Sequence, residues 1–248
     1  MLSREAKKLG LTVNWGKTEL MCVGEPRPIP PPIEMENALI YFVPSFIYLG
    51  SKLSSEGSLL PEINRRRGIA AGVMQGLRRP LWRHRNISRR TKMRIYNASV
   101  ISVLLYGAET WPMNKTLEAR LDGFDSRALR QVENINWPQL ISNQDLRQRT
   151  QQPRASTLTA ERRLRWYGHV RRMPPNHPTQ ILLDFDPMAA GWRRPRRAPR
   201  TRWIDVIRND LQPLGLTLED AQIIAHDRPA WRRLVSLISS TRAPAHED

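Results

Sequence analysis

Asp184 and Asp186 flank Phe185. Carboxylates two residues apart share one face of an extended segment, the smallest arrangement from which a divalent-cation site could begin. Pro187 follows at once and favours a loop, where such residues serve turn geometry instead. His169 and His177 straddle the proline-rich break at 174–178, and Cys22 is the single cysteine. Neither a zinc site nor a disulfide framework assembles from that set. A Gly-rich phosphate loop, a serine nucleophile elbow and an HExxH helix are absent from the sequence. No metal ligands are assigned.

What remains is arginine. Four groups stand out: Arg65, Arg66 and Arg67; Arg89 and Arg90 with Lys92; Arg165, His169, Arg171 and Arg172; and the run Trp192, Arg193, Arg194, Arg196, Arg197 and Arg200. A guanidinium offers phosphate a planar fork with several donors and can stack on a base, whereas lysine acts as a point charge. Every basic Lys or Arg after Lys115 is arginine. Scattered arginines read as a solvated surface; the clusters read as phosphate contacts. Trp192 lies among Gly, Pro and Arg with no apolar periodicity to bury it, so it is the stacking candidate, although such basic loops also serve as nuclear-import signals. Trp203 with Val206, Ile207 and Leu211, and Trp231 with Leu234, Val235 and Ile238, form helical apolar stripes and read as core anchors.

The charge is unevenly placed. The 248 residues carry 40 Lys+Arg against 23 Asp+Glu, a formal net charge of +17. Residues 1–60 contain six of each sign, so the whole excess lies beyond them. Such a chain suits a polyanionic partner, nucleic acid before an anionic membrane. The hydrophobic fraction of 40% supports a packed core. The longest apolar runs, at 38–43 and 100–106, are too short to span a bilayer, and the first residues lack the apolar stretch of a secretory signal. The expected location is intracellular, in nucleus or cytoplasm, neither secreted nor membrane-spanning.

The elements that must position these groups follow from pattern. A helix over 1–9 closes at Gly10; strand-like runs follow at 11–14, 19–23, 38–43 and 46–49, with the prolines of 26–32 as a loop. From Pro61 the pattern turns helical: 60–77, a long helix from the Ser88 cap to about Tyr106, 116–133, 158–173, 203–211, 218–226 after Thr217, and 229–239. Gln180–Leu183 reads as strand. The fold class is α+β, mainly α-helical, with short β-strands confined to the first 60 residues.

Several segments, in this order and spacing, carry a resemblance. They are Gly10-Leu-Thr-Val-Asn14 with Lys17-Thr18; Phe46-Ile-Tyr-Leu-Gly50; Thr91-Lys-Met-Arg-Ile-Tyr-Asn-Ala98; Leu105-Tyr-Gly-Ala-Glu-Thr-Trp111; Arg163-Leu-Arg-Trp-Tyr-Gly-His-Val-Arg-Arg-Met173; Arg202-Trp-Ile-Asp205; and Asp227-Arg-Pro-Ala-Trp231. From Gly10 to about Leu234 the chain resembles the C-terminal part of non-LTR (LINE-type) retrotransposon reverse transcriptases. That resemblance implies three regions: residues 1–60 as the end of the palm, 61–150 as a helical thumb-like region, and 151–248 as a basic helical C-terminal region. It implies that Lys17 matches a palm lysine serving the pyrophosphate leaving group, and that Phe46, Tyr48, Leu49 and Gly50 match the hairpin gripping the primer end. Read from the pattern alone, Phe46 is core, and Tyr48 suits either core or a partly wet position.

The family polymerises DNA on RNA with Mg²⁺ held by palm aspartates, two of them adjacent. No Asp-Asp dipeptide occurs in this sequence, and the chain starts just after the place where that pair would lie. The expectation is therefore a fragment of an RNA-directed DNA polymerase with no cofactor of its own, retaining nucleic-acid binding at most. Its expected partners are an RNA or DNA template-primer and the missing N-terminal part of the same polyprotein. The alternatives are a repurposed non-enzymatic nucleic-acid-binding protein and a functionless relic. Two-metal phosphoryl transfer requires carboxylates for both ions, so primer extension on a homopolymer RNA template with Mg²⁺ or Mn²⁺ should stay at background. Incorporation above a boiled control would contradict this and direct attention to Asp184 and Asp186.

Overall fold

The computed structural model describes residues 2–23, 30–35, 38–136, 138–185, 189, 191 and 201–241. These fall into two compact units, one reaching to Pro61 and one starting at Glu62. The mainly helical reading, with short strands only in the first 60 residues, is borne out.

In the first unit α1 (Leu2–Lys8) leads to a 3₁₀ turn at Trp15–Lys17. Strands β1 (Ile33–Met35) and β2 (Ala38–Ile40) pair antiparallel with Ile33 opposite Ile40. Strands β3 (Ser45–Tyr48) and β4 (Ser51–Ser54) form a second hairpin with Tyr48 opposite Ser51. Its two-residue turn, Leu49-Gly50, has positive φ at both positions (45° and 80°). This suits the right-handed twist of the strands and asks an unusual conformation of a leucine. The run at 11–14 is not a strand, and 19–23 contributes only a bridge from Leu20 to Phe42. Both are too short of cross-strand partners to form a ladder. Ile40 is the single buried hydrophobic residue among those described in this unit.

The second unit is helical. Helix α2 (Leu60–Gly76) runs into a π-helical turn at Arg78–Trp82. Ser88 caps α3 (Arg89–Ile95) by accepting the Thr91 N–H. The helix then widens into a π segment, Tyr96–Ile101, and closes as α4 (Ser102–Leu104), so the expected long helix is continuous but not uniformly α. Next come α5 (Lys115–Val132), α6 (Asn143–Thr150) and α7 (Ala155–Arg171). Helix α6 is not signalled by periodicity because Leu146 is its only aliphatic residue. Gln180–Leu183 lies in a helix, α8 (Pro178–Asp184), not a strand: Pro178 occupies its first turn and His177 caps it. Helices α9 (Trp203–Leu211), α10 (Leu218–His226), α11 (Arg228–Ser236) and α12 (Ile238–Thr241) complete the unit.

Helix α7 is the centre of this unit. Its Arg163 meets Asp210 of α9 with two parallel bonds, Nε to Oδ2 at 2.7 Å and a terminal nitrogen to Oδ1 at 2.9 Å. Both side chains are fully buried. Ala160, Leu164 and Tyr167 pack with Ile207, Leu211, Ala221, Ala225, Trp231, Val235 and Ile238. The Trp231 indole N–H donates to the Leu164 carbonyl at 2.9 Å. Its ring lies directly over Gly168, where an added Cβ would stand 2.1 Å from Nε1. Trp231 is thus the core anchor its stripe implies. Trp203 packs at the edge of the same core, half-buried, and donates its N–H to Glu109 at 2.8 Å. Gly168→Ala should therefore destabilise by about 1–3 kcal/mol or more, as overpacking does, measured by urea denaturation. Adding Trp231→Phe should recover part of that loss; full stability in the single variant would contradict the close approach.

Candidate nucleic-acid interface

The expected cations divide sharply in their surroundings. Arg66 is buried, bonds Glu62 through Nε at 2.6 Å and stacks 4.3 Å from the centre of the Tyr106 ring. Lys92 is buried and donates to the Trp82 carbonyl at 2.8 Å, beside the Asn134 amide, which donates to the same oxygen at 2.7 Å. Arg171 is buried, bonded to Asp184 at 2.6 Å and 5.3 Å from the centre of the Tyr167 ring. These three were expected on phosphates. The structure buries all three and bonds them within the protein, so they take part in its packing. Arg65 leans on Glu62, Arg89 on Glu133 at 2.9 Å, Arg165 on Glu161 at 3.0 Å, and Arg172 on the Ala225 carbonyl at 2.6 Å. Arg90 is exposed. His169 is exposed with its ring 5.2 Å from that of Trp166, and the His177 ring accepts the Thr179 N–H, so the two histidines serve separate local contacts.

Lys17 is exposed at the end of the 3₁₀ turn, its N–H held by Asn14. On the β3–β4 hairpin Phe46 is half-buried while Tyr48 and Leu49 stand out from the surface at 59% and 76% exposure, next to Gly50. Tyr48 is thus placed outside the core. Trp192, Arg193, Arg194, Arg196, Arg197 and Arg200, with Asp186, lie outside the described residues.

One cluster joins a flagged residue to two that pattern reading passed over. Arg67 of α2 stands near Arg120 and Arg127 of α5. Burial first, then the Arg127 and Arg120 charges, lower the pKa of the Arg67 guanidinium. Its Nε is buried without a hydrogen bond, and one terminal nitrogen reaches Asn64 at 3.3 Å. Arg120 and Arg127 are exposed and make no ion pair among the described residues. Their spacing of seven places them on one face of α5, to one side of the stripe of Leu117, Leu121 and Val132, and that spacing was the available signal. Three guanidinium groups that act on one another's charge suit an anion between them.

Magnesium, which the resemblance implies for the family, does not fit the carboxylates described. Asp184 is tied to Arg171 and Asp210 to Arg163. Asp125 is buried between the Tyr96 hydroxyl at 2.5 Å and Arg147 at 2.6 Å. Burial pushes its carboxyl above the ordinary carboxylate range despite Arg147. Among the described residues no three His, Cys, Asp or Glu side chains converge on a metal position. No helix among them is long and apolar enough to cross a membrane.

Comparison with known proteins adds descent. Residues 77–106, from the first π turn to the end of the long helix, match a family described as "Domain of unknown function (DUF6451)". Over 243 residues the chain is 24% identical to the "Putative uncharacterized transposon-derived protein F52C9.6" of Caenorhabditis elegans, covering 94% of this chain and 86% of that one. The chain is distantly related to a transposon-derived protein. No solved structure matches.

The two kinds of cation are separable by experiment. Lys92→Met removes one of the two donors at the Trp82 carbonyl, the charged one, and should cost about 1–3 kcal/mol of stability. Arg90→Ala should stay within about 0.5 kcal/mol of wild type. Thermal and urea melts of both variants test this, and equal stability would return Lys92 to the surface set.

Proposed function

We propose that this chain descends from the C-terminal part of a LINE-type reverse transcriptase and acts as a nucleic-acid-binding protein without polymerising. In this reading residues 1–60 correspond to the end of the palm, 61–150 to the thumb and 151–248 to the basic C-terminal region. The relationship to a transposon-derived protein along nearly the whole chain supports the descent. The binding role rests on the Arg67, Arg120 and Arg127 cluster, whose like charges are brought together with no carboxylate between them among the described residues. A phosphate backbone relieves that repulsion, and guanidinium forks suit its oxygens. No base-reading array is formed by the described helices on this arginine surface, so the contact made there is to backbone and tolerant of sequence.

The salt dependence measures this. Log affinity for a mixed-sequence duplex should fall linearly with log salt concentration, and Arg67→Gln with Arg120→Gln should flatten the slope by roughly one for each phosphate contact removed. Binding that ignores salt, or a slope unchanged in the double variant, would contradict the proposal.

A further inference from the structure

Between α5, α6 and the start of α7 lies a cleft of about 990 Å³, at the upper end of the range of about 300–1,000 Å³ common for small-ligand sites. Its walls combine two chemistries. Arg127 of α5 and Arg154, just before α7, are exposed, and their guanidinium groups make no hydrogen bond or ion pair among the described residues. Gln144 and Gln148, one turn apart on α6, present exposed amides to the same space. The wall behind them is already satisfied. Arg147 is fixed by Asp125 at 2.6 Å and by the carbonyls of Gln152 and Pro153 at 3.4 and 3.1 Å. Asp122, the carboxylate on the wall, accepts from the Ser156 N–H at 2.9 Å and its hydroxyl at 2.8 Å, so its charge is directed at the first turn of α7. At Gly123 an added Cβ would meet nothing within 4 Å, so that part of the wall opens on free space.

We propose that this cleft receives one unpaired nucleotide of a single strand. Its phosphodiester lies on Arg127 and Arg154, and its base edge on Gln144 and Gln148. This rests on the nucleic-acid-binding reading and refines it. A carboxamide carries a donor pair and an acceptor side by side, the complement of a base edge, and an anion alone would leave both amides unused. Arg127 belongs to the cluster with Arg67 and Arg120 as well, so a strand lying along that cluster passes the mouth of the cleft. A paired base reaches the interior only by leaving its stack, and the cleft therefore distinguishes single strands from duplex, while the surface cluster does not.

The test fills the cleft without altering charge. Gly123→Leu replaces a mid-helix glycine by a better helix former and places a side chain into the open space. Fluorescence anisotropy with a labelled mixed-sequence 12-nucleotide single strand and the matching duplex should show single-strand affinity falling roughly ten-fold or more, with duplex affinity and melting temperature unchanged. Gln144→Ala with Gln148→Ala, on an exposed helix face, should give the same selective loss and keeps the question decidable if Gly123→Leu folds poorly. Unchanged single-strand binding in both variants, or equal losses for single strand and duplex, would overturn the cleft while leaving surface binding intact. Wild-type protein that binds neither probe would overturn the binding reading itself, and the cleft with it.

Discussion

The helical unit depends on a salt bridge withdrawn from water. Arg163 and Asp210 lie 47 residues apart and share two short bonds at the junction of α7 and α9. Removing both charges from solvent costs several kcal/mol per ion, and only a geometry that returns most of it through paired bonds is tolerable. The pair therefore permits little displacement of one helix along the other, since a shift of one residue would leave two uncompensated charges in the core. Apolar contacts around Leu164, Ile207 and Leu211 supply attraction but little register; the ion pair supplies register. The remaining helices pack around the partnership so fixed.

The segments that carry the resemblance to reverse transcriptases are largely occupied with this packing. Arg163, Tyr167 and Gly168 face the core, and Asp227 caps the helix that brings Trp231 over Gly168. In the earlier segment Lys92 ties the π turn at Trp82 to α3, Tyr96 holds Asp125, and Asn97 exchanges two amide bonds with Gln152 at 2.9 and 2.8 Å. Buried polar groups of this kind need partners at fixed places, and those of Tyr96 and Asn97 come from 29 and 55 residues away. A relationship kept at 24% identity is thus intelligible as one of architecture. The arginines to which the proposed binding role is given carry no such packing constraint.

How much was legible in the sequence follows the same division. Helices with a strong apolar stripe, such as α5, α9 and α11, were readable from spacing, as were the Ser88 and Thr217 caps, because these signals are local. Helix α6 and helix α8 were not: one is polar almost throughout, and the other begins with a proline and a histidine cap inside a run that alternates like a strand. The role of individual cations was the least legible. Arg65, Arg66 and Arg67 are neighbours in sequence, yet one leans on Glu62, one is buried beneath Tyr106, and one joins Arg120 and Arg127. Charge counts in a window record composition, whereas burial depends on which side of a helix meets the core and on carboxylates far away in sequence.

The π segment at Tyr96–Ile101 has a consequence for how this chain can change in length. Such a turn is an α-helix with one residue added. Losing one residue there would let the helix close as regular α with all its backbone bonds made. The wider turn itself takes up the extra residue, so the side chains beyond such a deletion would keep nearly their present faces, with Leu104 and Leu105 still in the core that buries them completely. The helix between Ser88 and Leu105 can thus shorten by one residue at 96–101 without changing which of its side chains are buried, whereas a deletion in α3 would turn everything after it.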